Sequence, residues 1–132
     1  MMSIYLNWYD ENERELHIQF DGMWTLDDFQ DMIFNVDAMI GSKPHVVHVI
    51  ADFTNSAPPS TAILPGIAIA VRHMNMNFGV AVILSQNELV NQLVQTATSM
   101  HPVLRQRVYV VNSLDVAGRI MSHYEKQRRV SV

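Results

Sequence analysis

The chain has 132 residues, with 9 Lys and Arg against 13 Asp and Glu, a formal net charge of −4 and no cysteine. Apolar residues make up 48% and charged residues 17%, enough to bury the core of one domain and too apolar for a disordered chain. The acidic balance argues against a nucleic-acid surface. The lack of cysteine excludes disulfides, thiol nucleophiles and cysteine-held zinc.

Residues 1–10 lack a basic segment followed by an apolar run, so no signal peptide is read there. Residues 4–9 and 15–20 are β-rich. In the second run Leu16, Ile18 and Phe20 share one face while His17 and Gln19 take the other, as a strand requires. The polar run Asp10-Glu11-Asn12-Glu13 between them reads as a hairpin turn. A helix follows. Thr25 is its N-cap, Asp27 and Asp28 place negative charge in its first turn, and Leu26, Phe29, Ile33, Val36 and Ile40 form an apolar stripe. Gly41 stops it, with Pro44 just beyond.

Residues 45–53 contain Val46, Val47, Val49 and Ile50, and a run apolar on both faces suits a central strand covered by helices on both sides. A proline-bearing loop leads to a second helix, from Thr61 or Ala62 to Asn75. Pro65 must lie in its first turn because it lacks a backbone donor. No charged residue occurs from Phe53 to Val71. The prolines interrupt that stretch, and its continuous apolar part is far short of the roughly 20 residues that span a bilayer. Gly79 reads as a turn before a short strand over residues 80–84. Ser85-Gln86-Asn87-Glu88 reads as a capping box that opens a third helix, with Leu89, Leu93 and Ala97 on its buried face beside Val90 and Val94. A last strand spans Val108–Val111. Asn112 or Ser113 then caps a helix whose stripe is Leu114, Ala117, Ile120 and Tyr124.

The order β-β-α-β-α-β-α-β-α predicts an α/β fold: one domain over 1–132 with a single, mainly parallel sheet and an N-terminal antiparallel hairpin. Together with its landmarks, this order resembles the STAS and SpoIIAA-like superfamily, the anti-sigma-factor antagonists and their relatives. The carriers are Gly22 to Thr25 leading into the first helix, the strand Val46-Val47-His48-Val49-Ile50-Ala51-Asp52 ending in an acid, and the hydroxyls Ser60 and Thr61 where the next helix opens. In the sigma-regulating members, an Asp-Ser-Ser-Gly-like motif after that strand carries a phosphorylated serine at the helix start. Counting from Asp52 puts the equivalent position at Thr61 or Ala62, with Ser60 adjacent. The motif's own Asp and Gly are absent, which sets this chain nearer the SpoIIAA-like branch than the phosphoswitch proteins. The fold of that branch also resembles lipid-binding domains of the SEC-fourteen type.

The resemblance implies a non-catalytic regulatory domain whose protein partner docks near residues 58–62. The alternative is a carrier or sensor of a small apolar or lipid-like ligand. Asp52, Ser60 and Thr61 are the candidate binding or phosphoacceptor residues. The loop that holds Ser60 and Thr61 leaves the carboxyl end of a central strand, where open α/β sheets tend to bind ligands. One of the two hydroxyls is expected to cap the second helix and the other to face solvent. His45 and His48, three apart on a strand, point to opposite faces and form no chelating pair. Neither a metal nor another cofactor is expected. There is no Gly-x-Ser-x-Gly elbow, dinucleotide loop or phosphate loop, so no enzyme is read. The nine methionines read as gap fillers. The run Met74-Asn75-Met76-Asn77-Phe78 suggests an apolar patch and a homodimer. The basic tail Lys126, Arg128 and Arg129 reads as a solvated helix end. The expected setting is cytoplasmic, with no membrane insertion and no nucleic acid.

Overall fold

The computed structural model describes residues 4–130, with side chains through Gln127. The strands are β1 (Ile4–Trp8), β2 (Glu15–Gly22), β3 (Val47–Ser56), β4 (Phe78–Leu84) and β5 (Val108–Val111). The helices are α1 (Leu26–Gly41), α2 (Leu64–Arg72), α3 (Glu88–Met100) and α4 (Leu114–Val130). All five strands join one sheet in chain order, β1-β2-β3-β4-β5. The β1–β2 pair is antiparallel and the other three pairs are parallel. The predicted α/β architecture is therefore present, and β3 is central as its two-sided apolar pattern requires.

The two faces of the sheet are built differently. On one, Leu16, Ile18 and Phe20 of β2 and Val47, Val49 and Ala51 of β3 pack with Phe29, Met32 and Ile40 of α1. On the other, Ile50, Val80, Val82, Leu84 and Val111 pack under Ala117 and Met121 of α4. The alternation of β3 and β4 side chains assigns each residue to one cluster or the other.

Thr25 caps α1 as expected: its hydroxyl accepts from the Asp28 amide at 3.1 Å, and the Asp28 carboxylate accepts from the Thr25 amide at 3.0 Å. Ser113 is the cap of α4, accepting from the Val116 amide at 3.3 Å. Four expectations are corrected. Gly79 lies inside β4 and is buried. A Cβ there would run into the His48 ring and Val46, so the position demands glycine for close approach, not for a turn. Asn87, not Ser85, caps α3, taking the Leu89 amide at 2.8 Å. Ser85 is buried and accepts from the Asn87 amide at 3.0 Å. The segment after the prolines opens as a 3-10 turn over Thr61–Ile63 and continues as α2 only to Arg72, with Pro65 in the first turn as predicted. Finally, Leu26, Leu89 and Leu114, assigned to the apolar stripes of their helices, are exposed.

His48 ties the α4 side together. It is buried on β3, and its Nδ1 accepts from the Val80 amide at 3.1 Å. Nε2 therefore carries the proton and donates to Glu125 Oε1 of α4 at 2.8 Å, so one neutral ring joins β3, β4 and α4. The six histidines do not converge, and among the described residues no three metal-ligating side chains gather. No described helix is long and apolar enough to cross a membrane. Lys126 is exposed on α4; the side chains of Arg128 and Arg129 fall outside the described residues.

Candidate functional site

The three residues singled out in the sequence do not form one site. β3 runs on through Asp52 to Ser56, so Asp52 is an internal strand residue and not the strand-end acid. Its partner is His17, one strand away: His17 Nε2 lies 3.2 Å from Asp52 Oδ2. Asp52 Oδ1 accepts from the Thr54 amide at 2.9 Å. Partial burial alone would push this carboxyl up, but the Thr54 hydroxyl and amide bonds and the His17 ring outweigh it and hold Asp52 below the usual carboxylate range. Tyr9 meets the His17 ring edge-on, with centroids 5.6 Å apart. Sequence reading missed His17 as a partner, because a pairing 35 residues away shows only once β2 and β3 are in register.

Ser60 caps the 3-10 turn, accepting from the Ala62 amide at 3.1 Å. Thr61 is exposed, and α2 itself opens at Leu64 with no side-chain cap, so neither hydroxyl caps that helix as expected. Phe53, read as the last residue of its strand, lies inside β3 and stacks on Phe20 at 4.2 Å between centroids. Trp24 completes this aromatic layer and donates from Nε1 to Ser56 Oγ at 2.8 Å. These contacts, with the Ala57 amide donating to the Gly22 carbonyl at 2.9 Å, anchor the chain through Ala57 and leave residues 58–60 as the irregular connection before the 3-10 turn. At the carboxyl ends of the strands a polar cleft of about 360 Å³ is lined by Thr54, Ser56, Ser85, Asn87 and Asn112. It contains none of Asp52, Ser60 and Thr61.

A larger concavity lies elsewhere. An apolar cavity of about 730 Å³ opens between α1 and α2. Its floor is the sheet at Val49, Ala81 and Val108, and its walls include Ile33 and Ile67. Phe34 and Ile69, both exposed, stand at its mouth. Asp37 and His73 are its only titratable lining residues, and both are exposed. α2 covers the sheet incompletely: Leu64 and Ile67 pack partly buried against the core, and of this helix only Gly66 is fully buried, although its sequence LPGIAIAVR carries a single charge. Gly66 is the point of contact with α1, where a Cβ would stand 3.2 Å from the Phe29 ring. The apolar character of α2 was legible in the sequence; that it borders a void instead of filling one was not.

No protein-family model, curated protein or solved structure matches this chain.

Proposed function

We propose that the protein is a non-catalytic, STAS/SpoIIAA-like module that carries or senses a small apolar molecule held between α1 and α2. The observation that carries this reading is the cavity itself: about 730 Å³, open to solvent and walled by aliphatic and aromatic side chains. Ligand sites fall in the range of roughly 300–1,000 Å³ and are mostly apolar with a few polar groups; here Gln30, Asp37, His73 and Asn75 are the polar ones. The hairpin followed by crossover helices supports the family reading at the level of layout. The test is a native mass spectrum of the purified protein with a saturation titration of an apolar fluorescent probe. The expected result is one bound molecule per cavity, displaced by Ala70→Trp, which fills the space from the α2 wall. No co-purified mass and no saturable probe binding would overturn the reading.

One observation favours the regulatory reading: Thr61 presents its hydroxyl to solvent in the 3-10 turn that precedes α2. Phosphate there would add charge beside an otherwise uncharged docking surface and change what binds it. Affinity capture with the unmodified protein and with Thr61→Glu, compared side by side, tests it. A partner lost or gained with the acidic residue supports the switch; identical partners refute it.

A further inference from the structure

Two exposed stripes reach the cavity mouth at Phe34 and Ile69. On α1, Asp27, Asp31 and Phe34 recur at i, i+4 and i+7; on α2, Pro65, Ile69 and Arg72 recur at the same spacing, and all six are exposed. The spacing puts each set along one edge of its helix. The two helices also have opposite charge. α1 contains Asp27, Asp28, Asp31 and Asp37 and no basic residue, whereas α2 contains Arg72 and no acidic one. α2 lacks a polar face, and a helix apolar nearly all round is normally covered.

We propose that a second copy of this chain covers this face, with α1 of each copy over α2 of the other, closing the cavity mouth. The charges select that arrangement. Setting α1 on α1 would oppose two rows of carboxylates, whereas a two-fold axis along the helices sets α1 on α2, which has no acidic residue and offers Arg72 as the one unlike charge. Register inside one copy names the contacts. Gly66 sits against Phe29 and Ile33, so Ile69 stands at the level of Phe34 and Arg72 at the level of Asp37. Across the two-fold, Phe34 meets Ile69 of the second copy and Arg72 meets Asp37 of the second copy. This proposal is independent of what the cavity holds.

The experiment is light scattering on the full chain across a concentration series, with circular dichroism to confirm that each variant folds. The unaltered protein should be a dimer. Phe34→Asp should be monomeric. Arg72→Asp and Asp37→Arg should each weaken dimerisation by about tenfold or more, as like charges facing across an interface do. The double variant Arg72→Asp/Asp37→Arg, with the charges exchanged, should recover it. A monomer at about 100 µM, within the range of weak specific association, would overturn the proposal. So would a dimer that tolerates Phe34→Asp, or a folded double variant that stays monomeric.

Discussion

The α4 side and the α2 side of the sheet solve the same task in opposite ways. Under α4, Val80, Val82 and Ala117 are fully buried, and His48 links β3, β4 and α4 through two hydrogen bonds. Under α2 the sheet meets a cavity, and the helix touches α1 chiefly through Gly66. α4 is the more polar helix and still buries Ala117 and Met121, whereas the nearly uncharged α2 buries only Gly66. Both faces contain closely packed clusters, but only the α1–α2 face also keeps an open apolar cavity.

The sharpest way to break this comparison is at the glycines. Gly79→Ala forces a methyl group into the His48 ring and Val46 and should cost about 3 kcal/mol, the upper range for overpacking, read as a lowered midpoint in urea. Gly66→Ala faces only the Phe29 ring and the tip of Ile33, beside open space, and should cost under about 1 kcal/mol in the same assay. Equal losses at the two positions would contradict the contrast.

Side-chain truncation should reproduce it at smaller scale. Met121→Ala, at a buried α4 position, is expected to lose about 2–3 kcal/mol. Ile69→Ala, on exposed α2, should stay within about 0.5 kcal/mol when measured at a concentration dilute enough to keep the chain monomeric. Hydrogen exchange sharpens the same point without mutation: amides of α2 should exchange well before those of β4 and the central turns of α4, because few buried contacts hold that helix.

The smallest effect concerns pH. Asp52 is held below its ordinary range in the folded protein. Its charged form therefore contributes stability that is fully present above the unfolded value, about 3.9, and is lost as pH falls through the lower folded value. Unfolding free energies measured from pH 6 downward should decline more steeply in the unaltered protein than in Asp52→Asn, and the curves should converge in acid. Parallel curves would show that the His17 and Thr54 bonds do not favour the charged form.

The sequence by itself determined the order of elements, the hairpin, the central placement of β3 and the cap at Thr25, and it narrowed the α4 cap to Asn112 or Ser113. Each of these rests on periodicity or on side-chain bonding within a few residues. It also placed Pro65 in the first turn of α2, because proline lacks a backbone donor. Tertiary structure alone decided the rest. His17 became the partner of Asp52 only through the β2–β3 register. Gly79 proved to be a strand residue because a histidine 31 positions earlier lies over it. The same apolar stripe can fill a core or line a cavity, and local sequence does not distinguish them. How far a helix stands from the sheet depends on which side chains, from distant parts of the chain, meet beneath it.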